Sequence, residues 1–228
     1  MHKIRLLSVC VCLCSLFAHS TCAQEFGVRT GATFSFFTND FIMKGGNPGL
    51  LVGGIVSLPL SDAIHITGGL DYSQLSGQID GSPQVTSGGA ILTRESNITI
   101  HMLEASALGA YQLPLSFLGE ASPFITGGLS IGYNLGTWDY FHVQHSLNQE
   151  ITTYTGNENI KSYASNWLPA WNIGLRFVTP LEEGLFSKML IDIRMRSSFD
   201  PPINTYPLTG SPELPGIRSI SFSLGFMF

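Results

Sequence analysis

The sequence predicts an all-β fold, an eight-stranded antiparallel transmembrane up-and-down β-barrel, and three observations carry that expectation. Apolar and polar residues alternate with period two in most of eight separate strand-length segments. The connections between those segments alternate between short and long. The last segment keeps its alternation to Phe228, where the sequence stops.

The chain opens on a different kind of segment. Lys3 and Arg5 precede an apolar run from Leu6 to Ala18, and the short stretch His19–Ala23 follows. A basic start, a short apolar middle and small residues at Thr21 and Ala23 describe a secretory signal peptide cut after Ala23. The apolar run is too short for a membrane helix, which needs roughly 20 residues. A lipoprotein cut before Cys22 is the rival, and there His19 stands where such sites favour an aliphatic residue. The expected division is a signal peptide over 1–23 and the barrel over 24–228.

All four cysteines (Cys10, Cys12, Cys14, Cys22) lie in that leader. A barrel over 24–228 therefore has no disulfide and no thiolate metal site. Losing Lys3 and Arg5 moves the formal net charge from −5 to −7, and the acids are spread along the chain. That excludes nucleic acid as a partner class. Charged residues make up only 12% of the chain, about half the usual share in soluble proteins.

The eight segments follow in order. Glu25–Phe37 sets Phe26, Val28, Ala32, Phe34 and Phe36 against Gly27, Arg29, Gly31, Thr33 and Ser35. Gly49–Leu58 is apolar on both faces. Ile64–Ser73 sets Ile64, Ile66, Leu70 and Tyr72 against His65, Thr67, Asp71 and Ser73. His101–Leu113 turns Leu103, Ala105 and Tyr111 outward and Glu104, Ser106 and Gln112 inward. Phe124–Leu135 alternates Ile125, Leu129, Ile131 and Tyr133 with Thr126, Ser130 and Asn134. Asn166–Val178 opposes Trp167, Trp171, Ile173, Leu175 and Phe177 to Asn172 and Arg176. Met189–Ser198 alternates Met189, Ile191 and Ile193 with Asp192, Arg194 and Arg196. Ser219–Phe228 closes with Ile220, Phe222, Leu224, Phe226 and Phe228 on one face.

Short connections follow the second, fourth and sixth segments. Longer polar ones follow the rest: Thr38–Pro48, Gln74–Ile100, Gly136–Ser165 and Phe199–Ile217. That is the layout of a membrane barrel with both termini in the periplasm. A soluble barrel would put its polar face in water, yet here that face is rich in Gly, Ser and Thr and poor in Lys. The polar face is therefore expected inside. Ile66-Thr67-Gly68-Gly69-Leu70 repeats at Ile125–Leu129, and the small residues suit a crowded interior.

Several short motifs carry a family resemblance. Pro123–Tyr133 (PFITGGLSIGY) resembles the central strand of the PorT-like outer-membrane β-barrel domain, and Gly69–Gln74 (GLDYSQ) resembles its third strand. Met102-Leu103-Glu104-Ala105 matches in part, with Ser106 where the family has proline, and Ser223–Phe228 resembles its closing strand. The resemblance implies an outer-membrane location and insertion by the barrel-assembly machinery. The insertion signal would be Phe222, Leu224, Phe226 and Phe228. It implies no settled activity; the member that gave the name is linked to protein secretion.

Inside the barrel, Arg29, Arg176, Arg194 and Arg196 are expected to pair with Asp71, Glu104 and Asp192 as a lumen charge network, because unpaired buried charge is costly. Eight strands leave little bore, so the network reads as a plug rather than a selective pore. A lipid-modifying enzyme needs a nucleophile and a base together. His101, Glu104 and Ser106 are close in sequence, but a strand sends His101 and Glu104 to opposite faces. His142 and His145 are a weak candidate metal pair. Trp138, Tyr140, Phe141 and Tyr154 are candidate binding residues in the third long loop.

The expected role is a non-enzymatic surface or structural protein without a cofactor. Its surroundings would be outer-membrane lipid and lipopolysaccharide, with a possible protein partner at the loops. A secretion accessory, a narrow pore and a lipid-modifying enzyme are the alternatives.

Overall fold

The computed structural model describes residues 24–37, 47–80, 84–86, 88–115, 120–147, 150–182, 184–203 and 216–228. The candidate signal peptide over 1–23 lies outside the described residues, as do 38–46 and 204–215 of two expected long connections. The strands are β1 (Glu25–Phe37), β2 (Pro48–Pro59), β3 (Ile64–Asp80), β4 (Gln84–Val85), β5 (Ile91–Gln112), β6 (Ser122–Leu147), β7 (Glu150–Asn159), β8 (Trp167–Pro180), β9 (Lys188–Ser198) and β10 (Ile217–Met227).

Eight of these close a ring in the order β1–β2–β3–β5–β6–β8–β9–β10, and β10 returns to β1. Every neighbouring pair is antiparallel. Closure gives each interior strand group a partner, which lipid cannot supply. The register fixes the stagger. Arg218 pairs with Ser197, and the line runs on through Trp171, Leu129, Ala107, Gly68, Val56 and Phe26. Phe26 then accepts the N–H of Phe228. One circuit thus advances ten residues, from 218 to 228, a shear consistent with strands tilted about 35–45°.

The alternation sorts the side chains as expected. Val28, Leu50, Val52, Leu70, Leu103, Leu129, Ile131, Ile173, Leu175 and Ile191 are 40–61% exposed on the outer wall. Arg29, Thr33, Asp71, Ser73, Glu104, Ser130, Asn172 and Asp192 are buried on the inner face. A wall apolar outside and polar inside suits lipid around it. Among the described residues no helix is long and apolar enough to cross a bilayer.

Two expected long connections are mostly strand. Gln74–Asp80 continues β3 and Ile91–Ile100 begins β5, and these pair from Gln74–His101 out to Asp80–Glu95. Gly136–Leu147 continues β6, and β7 folds back along it from Trp138–Asn159 to Leu147–Glu150. Towards the tips both faces of a strand meet water, so the apolar–polar alternation fades while Thr, Ile, Tyr and Val still favour strand.

A bulge marks the change. His101 pairs with Gly136 while Met102 pairs with Asn134, leaving Leu135 as the extra residue. Asn134 Nδ2 donates to Thr137 Oγ1 at 2.9 Å and to the Ser165 carbonyl at 3.2 Å, which pins the bulge. Before it, even-numbered residues of β6 such as Ser130 and Asn134 face inward. Beyond it, odd-numbered Thr137 and Asp139 do.

Candidate functional site

Three layers fill the bore. The mouth where β1 begins and β10 ends holds a cavity of about 340 Å3, rimmed by the Glu25–Lys188 ion pair. Ile55, Leu190 and Met227, with Val178 against them, form its apolar inner collar. A lattice of charges follows. An apolar cap closes the far end, built from Phe37, Leu75, Ile98, Ile100, Met102, Ile160, Ala164, Leu168, Ile203 and Ile217.

The lattice holds the seven charged residues expected inside in two groups, five around Asp192 and the separate pair Arg196–Glu104. Arg29 Nε donates to Asp71 Oδ1 at 2.8 Å, and its Nη2 reaches Asp71 Oδ2. Asp192 Oδ2 lies 3.3 Å from Arg29 Nη1, 2.8 Å from Arg176 Nη2 and 2.9 Å from Arg194 Nη2. Arg176 also donates from Nη1 to Thr67 Oγ1 at 2.9 Å. Arg196 Nε stands 3.2 Å from Glu104 Oε2, and its Nη2 donates to the Leu168 carbonyl at 3.1 Å. No lattice residue is more than 6% exposed.

Two glycines make room for it. A Cβ on Gly53 would stand 2.3 Å from Asp71 Oδ1, and one on Gly69 would stand 2.9 Å from Arg29 Nη2. Both distances are below contact, so only a bare backbone lets Arg29 and Asp71 meet. Gly69 belongs to the Ile66–Leu70 repeat, and Thr67 of the same repeat receives Arg176.

The cap was not foreseen from the sequence. Its residues are apolar yet sit on the inward parity, as Phe37, Leu75, Met102 and Ile217 do. Apolar side chains on the polar parity near one set of strand ends are the signal that marks it.

The other candidate residues fall as follows. Phe222, Leu224 and Phe228 are 40–52% exposed on the outer wall, and Phe226 shares their parity. Phe186 packs on the rings of both Phe226 and Phe228, at 5.0 and 5.2 Å. His101 faces outward, with Nδ1 2.6 Å from Tyr72 Oη, while Glu104 and Ser106 face the bore. These three do not assemble. His142 and His145 are three apart on one strand, so they point to opposite faces. Among the described residues no three His, Cys, Asp or Glu side chains converge on a metal position.

The aromatic candidates stand on strands rather than on a loop: Trp138, Tyr140 and Phe141 on β6, Tyr154 on β7. They are also divided. Phe141 and Tyr154 share the face of Asp139, and Arg94 lies 4.3 Å over the Phe141 ring. Trp138 and Tyr140 take the opposite face. Strand pairing holds the long segment out straight, and its alternation prevents one joint aromatic patch.

The model of a family described as the outer membrane protein beta-barrel domain matches residues 22–192. The chain belongs to that family. This outer-membrane barrel lies in the cell outer membrane, with lipid against its wall. It is similar to the solved structures of Neisserial surface protein A (10% identity, 90% of this chain and 95% of that one, TM-score 0.40). It is similar at the same level to Ail, the attachment invasion locus protein of Yersinia pestis (10% identity, 90% and 98%, TM-score 0.40). A third is a major outer membrane protein from Thermus thermophilus (12% identity, 90% and 100%, TM-score 0.43). No curated protein matches the chain.

Proposed function

We propose that this barrel is a non-enzymatic surface protein that anchors a projecting sheet outside the cell and binds a protein partner through it. The observation that carries the reading is a contrast within one molecule. The bore is filled from collar to cap, while nine of the ten residues of β7 are exposed.

The start of β1, the end of β10 and the short turn at Leu60–Ala63 share one end, which the pattern of such barrels assigns to the periplasm. The β5–β6–β7 extension then faces outward. Ile160 donates its N–H to the Thr137 carbonyl, so alternation turns the backbone groups of Ile151, Thr153, Thr155 and Asn157 away from β6. Residues 150–159 contain no Lys, Arg or Pro, the usual guards of an open edge. An extended segment of a partner can add to that edge as a further strand. Tyr154, 61% exposed, supplies a side-chain anchor beside it.

The test replaces residues 141–157 by a short turn and leaves Ile160 in the cap. Intact cells carrying this variant should lose attachment to surfaces or neighbouring cells while the barrel keeps its heat-modifiable gel mobility. Unchanged attachment with a folded barrel would end the proposal.

The motifs at Pro123–Tyr133 and Ser223–Phe228 support a finer placement among PorT-like barrels, and with it a secretion-accessory role as second reading. Cleavage of residues 1–23 and insertion by the barrel-assembly machinery through β10 belong to the same proposal.

A further inference from the structure

The lattice does not balance. Four guanidinium groups (Arg29, Arg176, Arg194, Arg196) meet three carboxylates (Asp71, Glu104, Asp192) inside the bore. Asp192 alone serves three of the arginines through one oxygen. Arg29 has Asp71 as well, and Arg176 has Thr67. Arg194 has only its share of Asp192, so the surplus positive charge rests there. Buried charge without a counter-charge is strongly disfavoured.

Two further observations point to the same place. Arg194 Nε and Arg196 Nη1 are buried donors without a protein partner among the described residues. Both side chains line a small void of about 20 Å3, together with Asn172, Ser219 and Ser221. A void of that size accepts one water-sized sphere, which requires about 10–15 Å3. Asp71 and Glu104 also border it, but each is held by its own arginine.

We propose that this void is a site for a single monatomic anion, chloride in the cell, which completes the lattice as its fourth negative charge. The void is small, which suits a monatomic anion. The hydroxyls of Ser73 and Ser219 add donors beside the guanidinium groups, and the Ser73 hydroxyl has no protein partner among the described residues. The anion enters as the barrel closes, because the cap and the collar shut both ends.

Refolding the full barrel in sodium chloride and in sodium gluconate at matched ionic strength tests this, with urea unfolding as the readout. Gluconate is too large for the void. The folded-to-unfolded ratio should rise about tenfold per tenfold rise in chloride above the dissociation constant, and should not respond to gluconate. Arg194→Met removes the surplus charge, so the chloride response should disappear in that variant while the barrel still folds. Should Arg194→Met not fold, bromide-grown crystals of the unaltered barrel decide the question, with an anomalous peak expected between Arg194 and Arg196. Identical unfolding in the two salts, a chloride response surviving in Arg194→Met, or a water instead of bromide would each overturn the proposal.

Discussion

Arg176 on β8 and Asp192 on β9 stand opposite each other in the strand register and close an ion pair of 2.8 Å. The same carboxylate oxygen holds Arg29 and Arg194, so three strands depend on one acid.

Asp192→Asn should therefore be among the most damaging isosteric changes in the barrel. It keeps the shape and leaves four arginines against two acids. Removing one partner of a buried pair costs about 3–5 kcal/mol. Urea unfolding in lipid measures the loss, with Asp62→Asn as an exposed control expected within about 0.5 kcal/mol of the unaltered protein. Equal stability of the two variants would show that Asp192 does not hold the lattice together.

Gly69→Val should block lattice assembly, because its side chain enters the space of Arg29 Nη2 and Ser106 Oγ. The expected result is a lower yield of the heat-modifiable folded form. Gly88→Val, at a described turn with open space around it, should fold as the unaltered chain does. A normal yield for Gly69→Val would mean that the interior has more room than this packing allows.

Leu168→Ala tests the cap. Leu168 is fully buried, and removing such a side chain costs about 2–5 kcal/mol through the cavity left behind. The lattice below it stays intact, so stability should fall without any gain in ion permeability. A new conductance in Leu168→Ala would assign the seal to the cap alone.

Phe228→Ser tests the closing strand. Phe228 is exposed on the lipid face and packs on Phe186, and its N–H joins β10 to β1 through Phe26. The substitution keeps the backbone bond and removes the apolar anchor. Slower insertion with an unchanged final fold is the expected outcome in a membrane-assembly assay. Unaltered insertion kinetics would remove Phe228 from the insertion signal.

The fold was legible because the two sides of a barrel wall meet different solvents, and period-two alternation records that difference residue by residue. Glu25–Phe37 shows it from Phe26 to Phe36, with Thr30 as a polar residue on the outer face. The projecting strands lack the contrast, so residues 136–147 and 150–159 read as loop although they pair throughout. The lattice members were legible from inward parity and from the cost of unpaired charge. Their partners were not, because Arg29 and Asp192 meet through the stagger of the whole ring, 163 residues apart. The shared role of Asp192 and the surplus at Arg194 follow only from that closure.

The central claim is that this outer-membrane barrel has a closed, filled bore and does its work outside it. Single-channel recording in planar lipid bilayers tests the claim most directly. A filled bore predicts a silent membrane across the usual voltage range, for the unaltered chain and for the variant lacking 141–157. A stable, charge-selective conductance from the unaltered chain would contradict it.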